Sequence, residues 1–425
     1  MSLLHHPNCT TKYKAVHFTI SALMHIVVFS QYHTNPDCPA TSRHYTLLAH
    51  IAKTHRVTLL TTPAWKSQQL TQEFPWVPAG VEIREATVRY DNKMGPARRA
   101  LAFVKYAVWA VREGLRMEKP DVIWGISTPL TAAWAAAQVA RIRRVPWVFE
   151  VQDLWPSFPI AMGAVPTALA RQQLYRLEKR LYQSAGHIMP LSPDMTRYVT
   201  DLGIAPSKVT TVLNGTDLDL AARATPAVVA QLRREQGLMG KRVILYAGTF
   251  GRANDISMLV AAAEAMAVAG NDAVWLFLGH GFYEPLIAAA ARRWPAYIRL
   301  LGGQARHAVF SWFALAEVSV VPFLALPVLD SNSPAKLYDS LAVGTPVIVT
   351  NQGWTKALVE QHGCGWYVPA GNAAALVEQL QVVLARPDWL AAAGANGRQL
   401  AQKEFDRQLL ARQIQQILEA AAKKI

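Results

Sequence analysis

Cysteine is scarce in this chain of 425 residues: Cys9, Cys38 and Cys364 are odd in number and far apart. They exclude a disulfide framework, and with no CxxC pair or His/Cys cluster there is no zinc spacing, so a reducing cytoplasm fits the usage best. Long apolar runs are missing too. Leu101 to Val111 is broken by Lys105 and Leu130 to Val139 by Gln138, well short of the roughly 20 residues a bilayer span requires, which predicts a chain that does not cross a membrane. Charge is sparse, 17% against 52% apolar residues, which excludes disorder. No period of 20 to 50 residues signals a solenoid. Acidic residues are the scarcer sign: 43 Lys and Arg face 29 Asp and Glu, a formal charge of +14. The excess lies in residues 1–200, with 23 basic and 12 acidic side chains, whereas the remainder has 20 and 17. The N-terminal half is therefore expected to meet an anionic partner: nucleic acid, an acidic substrate or an anionic membrane surface.

What the chain does have is alternation. Short β-rich apolar runs (25–29, 57–61, 81–85, 122–125, 147–151 and 186–190) are interleaved with amphipathic helical patterns (41–53, 97–117, 130–142 and 168–183). A second series follows, with strands at 243–246, 274–278, 298–301, 318–323 and 345–349 and helices at 255–268, 283–293, 307–315, 335–341, 373–385 and 406–422. This is the pattern of an α/β fold with a mostly parallel sheet, twice over. Lys12 and Lys14 ahead of Ala15 to Phe29 imitate a signal peptide, but His17, Thr19, Ser21 and His25 interrupt the run and no small-residue cleavage site follows. The expected organisation is an N-terminal extension (1–23), a first Rossmann-like domain (24–200), a connection (201–219) and a second Rossmann-like domain (220–405). A C-terminal helix (406–425) is expected to pack back on the first domain. Two doubly wound domains facing each other leave a deep cleft between the carboxyl ends of their sheets, where ligands bind in this architecture.

The most informative segment is Ser331-Asn332-Ser333-Pro334-Ala335-Lys336-Leu337-Tyr338-Asp339, which runs on to Gly344-Thr345-Pro346-Val347. Ser333 has the chemistry of an N-cap and Pro334 that of a first helical position, which would aim free N–H groups and the positive end of the macrodipole into the preceding loop. Lys336 and Asp339, three apart, would share one face and offer a cation for phosphate and a carboxylate for ribose hydroxyls. The bland alternative is a capped helix with a surface ion pair. Val243 to Asn254 is a strand entering a turn in which Gly248 and Gly251 permit close approach of backbone to a diphosphate. In the first half, Phe149-Glu150-Val151-Gln152-Asp153-Leu154-Trp155-Pro156 offers carboxylates for sugar hydroxyls and an aromatic face for a pyranose ring, or else a well-packed turn. Asp153 is the first candidate for acid/base or orienting chemistry. Glu150 stands behind it, because strand alternation turns it the other way.

The segment around Lys336 resembles the donor-binding helix of the group 1 (family 4) glycosyltransferases, a retaining family with two Rossmann-like domains known as the GT-B fold. In that family one acid, then a second acid eight positions on, precede a "small-x-Gly-x-Pro-Val" strand. Asp339 with Ala342 to Val347 matches the second acid, which implies a hold on the nucleotide ribose. The position of the first acid is Ser331, and Asp330 is one out of register. The Ser-Pro-x-Lys variant resembles transferases of bacterial surface polysaccharides, including those using N-acetylated amino sugars, which implies a phosphate-neutralising role for Lys336. Thr249 and Asn254 stand where the family carries Arg and Lys, and Arg252 is the substitute cation. His280 in Gly279-His280-Gly281 and Gln304 after Gly302-Gly303 resemble the loops that complete the donor site. Val212 to Asp217 resembles the family's entrance to the second domain. Thr41, Ser42 and Arg43 open the helix after the first strand, where backbone amides can hold an anion and Arg43 matches a family position.

The segment Ala97 to Arg116 combines Arg98, Arg99, Lys105, Arg112 and Arg116 with Phe103, Tyr106 and Trp109. Such a helix suits an anionic membrane or a diphosphate-linked acceptor, or else a packed crossover helix with a solvated basic face. Together the resemblance implies a glycosyltransferase that moves a sugar, with N-acetyl amino sugars included, from a UDP-linked donor. The acceptor is a hydroxyl of a lipid-diphosphate-linked glycan, and the setting is the inner face of the cytoplasmic membrane. Catalysis is assigned to Asp153 and Glu150, and donor binding to Gly248, Thr249, Gly251, Arg252, His280, Gln304, Ser331, Asn332, Ser333, Lys336 and Asp339. The acceptor or membrane side is assigned to Thr41, Arg43, Trp155, Arg98, Arg99, Lys105 and Trp109. No metal, no cofactor and no nucleic acid are expected. The alternatives are a UDP-sugar 2-epimerase of the same fold and a basic, non-catalytic interaction subunit.

Overall fold

The computed structural model describes residues 23–90 and 94–423, so the expected extension lies almost wholly outside the described residues. The first sheet has six parallel strands: β1 His25–Tyr32, β2 Arg56–Thr62, β3 Val81–Glu85, β4 Val122–Ser127, β5 Trp147–Val151 and β6 His187–Pro190, ordered β3-β2-β1-β4-β5-β6. The second repeats that topology with β7 Arg242–Ala247, β8 Ala273–Leu278, β9 Ile298–Leu301, β10 Val318–Val321, β11 Val347–Val349 and β12 Gly365–Tyr367, ordered β12-β11-β10-β7-β8-β9. These are two doubly wound, Rossmann-like domains, the GT-B architecture. Central strands such as β1 and β7 are covered on both faces, which is why Ile26 to Phe29 and Val243 to Tyr246 read as continuous apolar runs.

Ten helices matter for the site. They are α1 Arg43–Ile51, α2 Pro96–Arg116, α3 Leu130–Arg143, α4 Ala168–Ser184, α5 Pro193–Asp201, α6 Ile256–Val268, α7 Arg306–Leu315, α8 Ala335–Ala342, α9 Trp354–His362 and α10 Arg407–Ala422. On α2 the small or aromatic residues Ala102, Tyr106, Ala107, Ala110 and Gly114 are buried at helical spacing against α3 and the sheet. On α10, Leu410, Ala411, Ile414 and Leu418 join the first-domain core formed with Ile26, Val28, Leu47 and Trp124.

The chain enters the second domain after α5 and returns to the first at α10, and the two crossings touch. Thr216 N–H donates to the Phe405 carbonyl at 2.8 Å, and Arg407 N–H to the Thr216 carbonyl at 3.0 Å. Gly215 makes that contact possible, with a φ of 65° and a position where a Cβ would lie 2.4 Å from Leu410 Cδ1. Arg407 is fully buried there, its guanidinium on Asp217 and on Thr41 Oγ1 at 3.1 Å.

Candidate active site in the interdomain cleft

The carboxyl ends of β7 and β8 form the floor on the second-domain side. Beyond β7, Gly248 adopts a φ of 147°, and a Cβ there would stand 3.3 Å from Lys336 Nζ, so the residue keeps the lysine's head clear. Lys336 Nζ donates to Tyr246 Oη and to Asn254 Oδ1, both at 3.1 Å, and lies 4.4 Å from the Tyr246 ring centroid. The Tyr246 hydroxyl and the Asn254 amide in turn donate to the Thr249 carbonyl at 2.7 and 3.0 Å. The turn from Gly248 to Asn254 is thus pinned around one lysine. Burial lowers the Lys336 pKa to about 7, because the ammonium has lost water and no carboxylate among its contacts replaces it.

Around this centre the structure distributes the expected donor residues unequally. Thr249, Gly251 and Lys336 stand together. Arg252 is exposed at the lip, over the Phe282 ring at 4.3 Å. His280 Nε2 accepts from Gly303 N–H at 2.9 Å, joining the β8 and β9 loops, and Gln304 beside it reaches the Gly302 carbonyl at 3.4 Å.

Four expectations are corrected. Ser333 does not cap the helix: α8 begins at Ala335, and the Ser333 hydroxyl is bound to Tyr338 Oη at 2.6 Å. Lys336 and Asp339 do not present one face, because Asp339 is turned into the protein, paired bidentately with Arg306 and accepting from Thr216 Oγ1 at 2.8 Å. Ser331 is buried, its hydroxyl on the Val328 carbonyl at 2.8 Å, and Asn332 is held through its carbonyl by the Trp354 indole N–H at 2.8 Å. Arg43 is also buried. Its Nε lies 3.3 Å from Glu150 Oε1, and its NH1 donates to the carbonyls of Leu213 and Asn214 at 2.7 and 2.6 Å; NH2 has no partner but is buried with the rest of the side chain, so the guanidinium does not face an anion in the cleft. Asp217, at the entrance to the second domain, is taken by Arg407, Ser42 and Thr46.

On the first-domain side Glu150 and Asp153 part company. Burial pushes the Glu150 carboxyl up, but the charges of Arg43 and His44 and hydrogen bonds from His44 and Gln152 outweigh it and hold the pKa at about 2. Glu150 is therefore a permanent anion that fixes α1 to β5. Asp153, half-buried beyond β5, accepts from Thr128 Oγ1 at 3.1 Å, and its pKa is raised by burial against that hydrogen bond. Trp155 meets Phe103 of α2 edge to face at 6.0 Å. On α2 itself Arg98 and Lys105 are exposed, Arg99 is half-buried with Nε on the Met94 carbonyl, and Trp109 packs on Tyr106.

The cleft is closed by contacts no sequence motif announced. Arg306 and His307 N–H groups donate to the Cys38 and Pro36 carbonyls at 3.0 and 3.1 Å. The Asn214 amide donates to the Ser333 carbonyl at 2.9 Å. Ser192 caps α5 as an acceptor while its hydroxyl donates to the Ser331 carbonyl at 2.5 Å. Asp194 accepts from Trp354 N–H at 2.8 Å.

Residues 41–215 match the family described as "Glycosyl transferase 4-like domain", and residues 241–386 match "Glycosyl transferases group 1". WcaL of Escherichia coli (strain K12), named for colanic acid biosynthesis glycosyltransferase function, is 28% identical over 125 residues, 29% of this chain and 31% of that protein. The match thus spans about a third of that relative's length. Among solved structures, sucrose-phosphate synthase from Thermosynechococcus elongatus superposes with a TM-score of 0.72 at 20% identity, covering 93% of this chain and 98% of that one. HepE from Anabaena in complex with UDP-glucose gives 0.69 at 16% identity, covering 93% and 100%. At these identities the two structures speak for the fold.

Proposed function

Because the chain belongs to the group 1 glycosyltransferases, we propose that it transfers a sugar from a UDP-linked donor to a hydroxyl of a lipid-linked glycan during surface polysaccharide assembly, with retained anomeric configuration. The observation that carries this reading is Lys336, a single desolvated cation pinned over Gly248 by Tyr246 and Asn254. A departing nucleoside diphosphate needs positive charge fixed in advance of its departure, where little water competes for it. Lys336 supplies that charge, and the glycine at 248 leaves backbone room for the phosphates. Asp153, with its raised pKa and its place beyond β5, is suited to orient or deprotonate the acceptor hydroxyl. Glu150 serves by holding α1 and the 213–214 carbonyls in place.

The acceptor side rests on α2. Its outer face exposes Leu101, Val104 and Val108 among Arg98, Lys105, Arg112 and Arg116, beside a shallow groove of about 490 Å³. Apolar residues ringed by cations suit an anionic membrane surface. Among the described residues no helix is long and apolar enough to cross a membrane. The similarity to WcaL favours surface polysaccharide as the product class.

The test is calorimetric titration with UDP, GDP and their sugar conjugates, run beside an assay for released nucleotide. Selective UDP-sugar binding with slow release supports the transferase. Rapid UDP release without any acceptor would favour the 2-epimerase alternative, and no nucleotide binding would leave a basic interaction protein.

A further inference from the structure

The loops that follow β7, β8 and β9 are stapled to one another through His280. Gly248 N–H donates to the Leu278 carbonyl at 2.9 Å and Gly279 N–H to the Leu301 carbonyl at 3.2 Å, which carries the pairing past the ends of the strands. Beyond them Phe250 N–H donates to the His280 carbonyl at 2.9 Å, and Tyr283 N–H to the Phe250 carbonyl at 3.1 Å. So close an approach needs glycine on both sides of the histidine. A Cβ on Gly279 would overlap the Gly248 carbonyl oxygen, and one on Gly281 would stand 2.7 Å from that of Phe250. The His280 backbone is thereby fixed against the loop that carries Gly248, while its side chain reaches the other neighbour. Nε2 accepts from Gly303 N–H at 2.9 Å. Gly303 itself lies between the imidazole and Pro39 of the first domain, each 3.1 Å from where its Cβ would be.

Hydrogen bonding decides where the imidazole carries its proton. A ring nitrogen that accepts from an N–H bears no hydrogen, so a neutral His280 holds its proton on Nδ1. Nδ1 faces Glu284 Oε2 at 3.4 Å, at the start of the helix Glu284–Arg293, and the same oxygen accepts from Gly281 N–H at 3.5 Å. Glu284 is thus the group that selects the tautomer. Without an acceptor at Nδ1 the proton is free to move to Nε2, where it would oppose the Gly303 N–H. Both ring nitrogens are engaged within the protein, so the imidazole acts on a ligand through the loop it holds.

We propose that Glu284 is a positioning residue of the donor site: through His280 it sets the loop at Gly302 and Gly303 in register with the loop that holds Lys336, so that both ends of a nucleotide meet backbone already in place. The inference rests on the nucleotide-donor reading of this cleft. β7, β8 and β9 lie side by side, and a nucleotide with its phosphates at Lys336 and Gly248 has its nucleoside across the ends of the other two. Gly302 is exposed and Gly303 half-buried, and with no side chain at either the loop offers bare backbone to a flat ring. Such an edge selects a ligand by the fixed directions of its N–H and C=O groups, so a hydrogen bond that fixes the loop takes part in the selection. His280 and Glu284 are themselves open to water, which makes their effect several-fold and not larger.

The tautomer is read from two-bond proton–nitrogen NMR spectra of protein carrying isotope-labelled histidine, at pH 8, above the ordinary histidine range, beside calorimetric titration with UDP. The His280 signal is identified by its absence from His280→Gln. It is expected to show the proton on Nδ1 in the wild type and in Glu284→Gln, whose amide oxygen still accepts it, and a mixture of tautomers in Glu284→Ala. UDP affinity should fall about threefold in Glu284→Ala and about fivefold in His280→Leu, the effects of a surface contact and of one neutral hydrogen bond. It should stay within about twofold of the wild type in Glu284→Gln and in His280→Gln, whose carboxamide oxygen replaces Nε2 as acceptor. All these proteins are expected to melt alike, since the pair lies at the surface. A proton on Nε2 in the wild type, or unchanged UDP affinity in Glu284→Ala, overturns the proposal. His280→Gln as weak as His280→Leu also overturns it, by making the ring itself the contact with the nucleotide. Absence of UDP binding by the wild type removes the donor reading, and the positioning role with it, even where the tautomer is as expected.

Discussion

Lys336 and Glu150 show how burial assigns opposite work to two charged side chains. Lys336 has a pKa lowered to about 7 by desolvation, and a diphosphate placed beside it restores the charged form. Above pH 7 nucleotide binding must therefore take up a proton, and UDP affinity is expected to fall by up to tenfold per pH unit, a loss that Lys336→Met abolishes. Calorimetry at pH 8 in two buffers of different ionisation enthalpy measures that uptake; none in the wild type would retire the lysine as the phosphate cation. At pH 6.5 the same variant is expected to bind UDP more weakly by about 2 kcal/mol, the worth of a charge-assisted hydrogen bond. Glu150 is the reverse case, a carboxylate whose folded pKa of about 2 lies below its unfolded value. Its contribution is present above the unfolded pKa and lost as pH falls through about 2. Glu150→Gln leaves Arg43 buried without its counter-charge and should cost about 3 kcal/mol of stability. Asp153→Asn should leave the melting temperature near that of the wild type and depress turnover more than nucleotide affinity; a fully active Asp153→Asn protein would remove it from the chemistry. None of this division is written locally. Arg43 and Glu150 are 107 positions apart, and Asp339 finds Arg306 33 positions away. The sequence names the charged residues, but only tertiary pairing says which of them are spent.

Elements were far more legible than partners, because periodicity is a local property. The strands at Val81–Glu85, Trp147–Val151 and Ile298–Leu301 coincide with the apolar runs that announced them. Where bounds differ the reason is specific. β11 starts at Val347, not Thr345, since Pro346 has no N–H to give and its carbonyl instead accepts from Ser319. The Ser333 cap fails because the Tyr338 phenol, one turn along, competes for the hydroxyl. β12 escapes a reading by alternation since it is three residues long, and α9 is too short and too weakly amphipathic to stand out. On α2 the pattern gave two readings, packed crossover and membrane face: Ala102, Tyr106 and Ala110 are buried as a crossover requires, while Leu101, Val104 and Val108 are exposed on the side where the membrane is proposed. Replacing Lys105 and Arg112 by Gln is expected to weaken binding to vesicles containing anionic lipid by roughly thirtyfold, at about 1 kcal/mol per basic residue. Sedimentation with vesicles of anionic and of zwitterionic lipid checks it. Equal binding of variant and wild type to anionic vesicles would confine α2 to packing.

At the scale of the molecule, two sheets of the same topology are joined so that the first core is not contiguous in sequence, whereas the buried cores of the second run from Leu220 to Phe405. The first domain borrows its last helix from the far end of the chain: α10 buries Leu410, Ala411, Ile414 and Leu418 against α1 and the first sheet. The root of that helix is Arg407, whose pKa burial lowers to about 10 against the attraction of Asp217. Its guanidinium reaches Asp217, the Gly215 carbonyl and Thr41 together, so the return crossing, the outward crossing and the helix-opening turn of the first domain share one side chain. Unfolding the first domain must then pull on the end of the second, and the wild type is expected to melt in a single calorimetric transition. Arg407→Met leaves Asp217 with hydroxyl partners alone in a dry site, at a cost of about 3 kcal/mol. Its consequence should be larger than a lowered midpoint: with the shared root gone, the trace should split into two transitions, the lower belonging to the first domain. Truncation after Phe405 should produce the same split by removing the borrowed helix outright. Two transitions already in the wild type would show that α10 decorates the first domain without coupling it to the second. A single transition in both altered proteins would move the coupling to the cleft contacts of Asn214, Ser192 and Asp194, where the closed state joins the domains directly.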